Sequence, residues 1–69
     1  MNFYEVILGV ISQGREIGRV CVLVAATSPF TAASQAEDEI DKSYGSGTYS
    51  HAVKVNEISE DEFHCLYAA

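Results

Sequence analysis

This 69-residue chain contains two cysteines and two histidines, which are the side chains best suited to metal binding or nucleophilic catalysis. Cys21, His51, His64 and Cys65 are the types that bind zinc or form a Cys–His nucleophile. Structural zinc sites show C-x₂₋₄-C or H-x₃₋₅-H spacing, and neither occurs here, while a Cys–His nucleophile also needs a third, orienting group. We therefore predict no catalytic residue, no metal and no cofactor, so that the chain is not an enzyme.

Carboxylates can also bind metal ions or act as an acid/base pair. Eight of the ten acidic residues lie in two short stretches. The first is AEDEID at 36–41 and the second is EISEDE at 57–62. The second lacks the spacing and the central glycine of an EF-hand loop. On a helix, the acids of the first would fan out instead of converging. Neither a calcium site nor a glycosidase pair is predicted.

The charge imbalance lies wholly in the second half of the chain. Residues 1–36 carry two acids and two arginines, whereas residues 37–69 carry eight acids and two lysines, which accounts for the net charge of −6. Such asymmetry indicates an interaction surface. It weighs against direct nucleic-acid binding, which needs Lys and Arg to neutralise phosphates. A second interpretation stays open, in which the acids are solvated and serve solubility.

Length and composition predict one compact domain over residues 1–69. A hydrophobic content of 48% argues against disorder. The longest nearly uncharged apolar run, 20–26, is too short to span a bilayer, and we find no signal-peptide pattern. We expect a cytoplasmic protein without membrane contact, in which Cys21 and Cys65 are reduced, buried and inert.

The hydrophobic pattern predicts an α+β fold, with one helix packed on one face of an antiparallel sheet of three to four strands in the order ββαβ(β). Residues 3–11 and 19–26 form a hairpin through a turn in which Gly14 and Gly18 are available for positive φ. A third strand spans 49–58, with SEDE at 59–62 as a charged turn. FHCLY at 63–67 is compatible with a fourth, short edge strand. Within the third strand, one face is Tyr49, His51, Val53 and Val55.

A helix is predicted for residues 29–44, between Ser28 as its amino-terminal cap and Gly45 as its stop. The stripe that faces the sheet is Ala33, Ala36, Ile40 and Tyr44. AEDEID then lies in the carboxyl-terminal half of the helix, where carboxylates cost a few tenths of a kcal/mol each. This placement hints at a role other than stability.

If the helix covers one face of the sheet, the other face keeps an apolar patch. Its residues are Phe3, Ile7, Ile11 and Leu23. An apolar patch of this size is usually an interface, and small domains often need additional burial. It can serve as a dimer or partner face, as can an edge strand, or the C-terminal segment can fold over the patch; these alternatives remain open.

In format, the chain resembles small acidic phage-encoded inhibitors, and type I anti-CRISPR proteins in particular. The resemblance rests on the strands FYEVILGVI and RVCVLVAA, the helix SPFTAASQAEDEIDKSYG, and the acids of 36–41 and 57–62. It implies an inhibitor that docks acidic residues on a basic surface of a CRISPR surveillance complex in the host bacterial cell and blocks access of target DNA. These inhibitors share no signature, so no residue is transferred by motif.

Two hypotheses therefore emerge. In the first, an acidic surface binds a basic protein partner, and its residues are Glu37, Asp38, Asp41, Glu57, Glu60, Asp61 and Glu62. In the second, the chain is a small homodimeric interaction or structural module whose acids serve solubility only.

Overall fold

A computed structural model describes residues 1–45 and 47–68, with side chains up to residue 65. Its elements are β1 (Asn2–Ser12), β2 (Arg15–Ala26), α1 (Pro29–Tyr44), β3 (Thr48–Ile58) and α2 (Glu60–Ala68). The strands form one antiparallel sheet in the order β2-β1-β3, and α1 packs against it. The predicted α+β class and ββαβ order are confirmed.

The hairpin between β1 and β2 has a shorter turn than predicted. Gln13 and Gly14 have φ values of 53° and 75°, the paired left-handed conformation that matches the twist of a two-residue hairpin. β2 therefore begins at Arg15, and Gly18 lies inside the strand instead of in the turn. The register shifts beside it, which leaves Ile17 as the extra residue of a β-bulge.

A second bulge changes which residues of β3 share a face. Ile7 pairs with Lys54, but Leu8 pairs with Ala52, so Val53 is the extra residue. The predicted alternation is therefore wrong beyond this point. Tyr49, His51, Lys54 and Asn56 share one face, whereas Ser50, Ala52, Val55 and Glu57 share the other.

The core lies between α1 and the sheet face that carries Tyr4, Val6 and Leu8, of which at most 2% is exposed. Ala32 and Ala36 are the fully buried residues of α1, and their small side chains let the helix approach closely. The predicted helix stripe is thus displaced by about one residue at its start.

The predicted stripe is wrong at its carboxyl-terminal end. Tyr44 is 48% exposed, while Ala33 and Ile40 are half-buried. Tyr44 is the last residue of α1, and Asp41 already contacts a residue near the start of β3, so the final turn reaches beyond the core. Both predicted helix ends are confirmed: Ser28 Oγ accepts a hydrogen bond from Thr31 N at 3.2 Å, and Gly45 follows with φ 81°.

The segment predicted as a charged turn and a fourth strand forms α2 instead. Ser59 Oγ accepts a hydrogen bond from Glu62 N at 3.1 Å and donates to Glu62 Oε1 at 3.4 Å. This side chain therefore caps the helix, and three acids in the first turn complement the positive end of the helix dipole. The Ser-x-x-Glu spacing at 59–62 was the sequence signal for this helix.

We call the sheet face opposite α1 the open face, and α2 packs on one end of it. The rings of Phe3 and Phe63 lie 4.7 Å apart between centroids. Because Phe3 alternates with the core residue Tyr4, its side chain points away from α1. The C-terminal segment therefore covers the Phe3 end of the predicted apolar patch. The other members, Ile7, Ile11 and Leu23, are also half-buried.

Candidate acidic interaction surface

Two of the predicted partner-binding acids hold α1 against β3. Glu37 Oε2 accepts a hydrogen bond from Ala52 N at 2.7 Å. Asp41 Oδ1 accepts hydrogen bonds from Ser50 N at 2.8 Å and from Ser50 Oγ at 3.0 Å. The Ser50 hydroxyl also lies 3.3 Å from the backbone oxygen of Glu37. These two carboxylates therefore have an internal structural role.

The spacing of this contact follows from element geometry. Residues four apart on a helix are separated by about 6 Å along its axis, and residues two apart on a strand by about 6.6 Å. Glu37 and Asp41 therefore match Ala52 and Ser50 when α1 and β3 run in opposite directions. β3 is an edge strand, so its outward N–H groups would otherwise be open to another chain. The two carboxylates accept hydrogen bonds from two of them, the N–H groups of Ser50 and Ala52.

The other acids of AEDEID lie on the outer side of α1. Asp38 Oδ2 and Lys42 Nζ are 3.0 Å apart, and both side chains are more than half exposed. An exposed i,i+4 ion pair of this kind contributes about 0.3–0.5 kcal/mol. Glu39 is exposed as well. Asp38 and Glu39 form what we call the helix patch.

The acids of EISEDE are exposed where β3 passes into α2. We define the junction patch as Glu57, Glu60, Asp61 and Glu62. Glu57 pairs with the core residue Tyr4 near the end of β3 and so projects from the sheet face opposite α2, whereas the other three acids form the first turn of α2. Glu60 Oε1 lies 3.7 Å from His64 Nε2, an ion pair only when the imidazole is protonated. Four carboxylates thus stand within six residues of chain.

The helix patch and the junction patch lie on different elements. α1 packs on the core face of the sheet, while α2 contacts the open face through Phe63. Along β3, Glu57 is five residues from Ala52, the residue that Glu37 contacts, which corresponds to about 16 Å. The seven predicted acids thus fall into three groups. Glu37 and Asp41, which we call the internal pair, contact β3; Asp38 belongs to the helix patch; the other four form the junction patch.

The cysteines are exposed, in contrast to the prediction that they are buried. Cys21 lies on the open face of the edge strand β2, which α1 does not cover, and Cys65 lies on α2. Partial burial raises the pKa of the Cys21 thiol above its ordinary value, and the charge of Glu5 and a hydrogen bond to it raise it further. His51 is exposed on the open face. His64 is exposed on α2.

The described residues contain no cluster of three or more His, Cys, Asp or Glu side chains placed to hold a metal ion. A shallow apolar groove of about 190 Å³ lies between α1 and β3, lined by Pro29, Phe30, Ala33 and Val55. The Phe30 side chain beside it is 88% exposed, a feature that the sequence pattern did not indicate. A groove without polar groups offers binding area but no acid, base or nucleophile.

None of the helices in the described part of the chain combines the length and apolar composition needed to cross a bilayer. No protein-family model, no curated protein and no solved structure matches this chain.

Proposed function

We propose that the chain is a protein inhibitor that binds a basic surface of a nucleic-acid-handling complex. By its resemblance in format to type I anti-CRISPR proteins, its target is a type I surveillance complex, whose access to DNA it blocks. The observation that carries the proposal is the junction patch. Its four carboxylates are exposed, and among the described side chains only His64 forms an ion pair with one of them.

The physical basis is charge complementarity. Glu60, Asp61 and Glu62 lie on the first turn of the capped helix α2, whose backbone holds them as a fixed local concentration of negative charge. A basic groove that binds DNA attracts such a patch over roughly one Debye length, about 8–10 Å at physiological salt. Association would be fast and would weaken as salt is added.

The internal pair contributes to this function indirectly. Glu37 and Asp41 hold α1 on β3, so changing them tests stability together with binding. The proposed contacts are therefore the junction patch, with Asp38 on the helix patch as a secondary contact. Glu62 has a second role, since it also contacts the cap residue Ser59.

The test uses purified type I surveillance complexes of several subtypes and a labelled target duplex, with DNA binding measured by gel shift. The wild-type protein is expected to reduce binding to at least one complex. A triple variant, Glu57→Gln, Glu60→Gln and Asp61→Asn, removes three charges while keeping side-chain size and the cap. We expect its inhibition to weaken roughly tenfold or more.

The matched control removes three negative charges elsewhere, through Glu5→Gln, Glu16→Gln and Glu39→Gln. It has the same net charge as the junction variant and is expected to inhibit nearly as well as wild type. Equal loss in both variants would show that net charge acts and not the patch. Full inhibition by the junction variant, or no effect of the wild type on any complex tested, would refute the proposal.

A further inference from the structure

We infer that the free edge of β2 pairs antiparallel with β2 of a second copy, which joins the two three-stranded sheets into one of six strands. This inference goes beyond the proposed inhibition and does not depend on it. It rests on the direction of the backbone groups of β2, on the difference between the two sheet edges, and on the distribution of charge.

The direction of the backbone groups follows from the contacts of β3. Ser50 N and Ala52 N donate to α1, so they point away from β1. In an antiparallel ladder the direction alternates, so the neighbouring residue His51 exchanges its hydrogen bonds with its partner Gly9. On β1, the odd-numbered residues near Gly9 therefore bond to β3 and the even-numbered ones to β2.

The same alternation determines which backbone groups of β2 point away from β1. The partners of Tyr4, Val6 and Leu8 are Val24, Val22 and Val20, so these three valines bond inward to β1. The residues between and beside them direct N–H and C=O groups outward. These residues are Arg19, Cys21, Leu23 and Ala25. The two-residue turn at Gln13 and Gly14 is consistent with this alternation. The pair that closes it, Ser12 and Arg15, is hydrogen-bonded, so the even-numbered residues of β1 bond to β2.

The two edges of the sheet differ in protection. On β3, the carboxylates of Glu37 and Asp41 accept hydrogen bonds from two outward N–H groups, those of Ala52 and Ser50. On β2, no side chain of the described residues forms a hydrogen bond with the outward backbone groups of 19–25. The bulge at Ile17 interrupts the edge on the turn side, which leaves 19–25 as its regular part. A regular unpaired edge of this length is a template for another strand.

Charge makes β2 the least repulsive element through which a second copy can approach. β2 holds Arg15, Glu16 and Arg19, a net +1, while the whole chain carries −6. By the same count β1 is −1, α1 is −3, β3 is 0 and α2 is −3, so β2 is the positive element. Two copies of an acidic protein repel in most orientations. α1 also contacts β2, but its acids lie in its carboxyl-terminal half, where Glu37 and Asp41 meet β3 at the opposite edge.

One register satisfies all four outward residues. A two-fold axis beside Val22 places Arg19 opposite Ala25 of the other copy and Cys21 opposite Leu23 of the other copy. Each of the four resulting pairs exchanges two backbone hydrogen bonds. Apolar side chains meet at the centre of the open face, and the arginines of the two copies stay apart. The contact is isologous and therefore closes as a dimer.

The experiment measures the mass of the 7.5 kDa chain by sedimentation under reducing conditions, at concentrations up to roughly 0.5 mM. The wild type is expected to approach twice this mass as concentration rises. Cys21→Pro removes an outward donor that β1 does not use, so its circular dichroism should stay native while association weakens more than tenfold. Cys21→Lys places a charge on the same edge, and it replaces the proline variant in this test if that variant does not fold.

The matched control is Val53→Lys, which adds the same charge at the bulge of the opposite edge and should leave the dimer intact. A wild type that stays monomeric throughout would overturn the inference. So would a native Cys21→Lys variant that dimerises as the wild type does. A dimer that is lost in Ile7→Lys but kept in Cys21→Pro would also overturn it, since contact would then run through the open face. All readouts use the isolated protein, so they are independent of any inhibition assay.

Discussion

Removing the Asp41 carboxylate should destabilise the protein far more than removing a neighbouring carboxylate on the same helix. Asp41→Ala deletes the acceptor of two hydrogen bonds from Ser50, at 2.8 and 3.0 Å. Ser50 is 7% exposed, so its groups have little access to replacement water. Hydrogen bonds to a charged acceptor contribute about 1.5–3 kcal/mol each. Because Asp41 itself is exposed and water weakens its hydrogen bonds, we expect a total loss of about 2–3 kcal/mol.

The control is Asp38→Ala, three residues earlier on α1. It loses an exposed ion pair with Lys42, about 0.3–0.5 kcal/mol. Both substitutions gain similar helix propensity, and both remove a negative charge from the carboxyl-terminal half of the helix. The control should therefore be close to neutral. The difference between the two variants isolates the contact with β3.

The assay is urea and thermal unfolding of the two variants and the wild type. For a domain of this size, each kcal/mol shifts Tm by roughly 4–8 °C, so Asp41→Ala should unfold about 8–24 °C earlier. A double-mutant cycle with Ser50→Ala should show a coupling of about 1 kcal/mol for the hydroxyl contact. If the two single variants agree within about 0.5 kcal/mol, the assigned role of Asp41 is wrong.

Three further outcomes are expected. Ser59→Ala removes the cap of α2 at a cost of about 1 kcal/mol, seen as faster amide hydrogen exchange in that helix; unchanged exchange would contradict the cap. Phe63→Ala removes a half-buried ring from the open face and should cost about 1–2 kcal/mol in urea unfolding, whereas a neutral result would show that α2 is not held there. In a Cys65→Ser background, Glu5→Gln should lower the raised pKa of Cys21 and so increase its thiolate fraction and alkylation rate near pH 8. Mass spectrometry measures that rate, and no increase would argue against the influence of Glu5.

Much of the fold could be predicted because its signals are local. Ser28 and Pro29 mark the start of α1 and Gly45 its end, and all three act through a few neighbouring backbone groups. Alternation along β1 placed Phe3, Ile7 and Ile11 on the sheet face that α1 does not cover. The sequence signal for the start of α2 was also local, since Ser59 and Glu62 have capping-box spacing. The prediction did not use that signal and followed the apparent strand pattern of FHCLY.

The bulges could not be predicted from the pattern alone. An extra residue at Val53 exchanges the faces of everything beyond it, yet no residue type marks it, since the bulge depends on pairing between β1 and β3. The predicted face of Tyr49, His51, Val53 and Val55 failed for this reason. The exposure of Cys21 is likewise a consequence of strand order, which puts β2 at an edge.

The sequence by itself determined the amount of charge, the half of the chain that carries it, and the succession of strands and helix. Only the tertiary structure decided what each carboxylate does. Glu37 and Asp41 meet the backbone of β3 because helix and strand repeats match across a contact of distant residues. Glu60 and Asp61 stay exposed because α2 turns them to solvent while Phe63 holds it on the sheet. Charge is a property of residue types, but its availability to a partner depends on which groups the fold brings together.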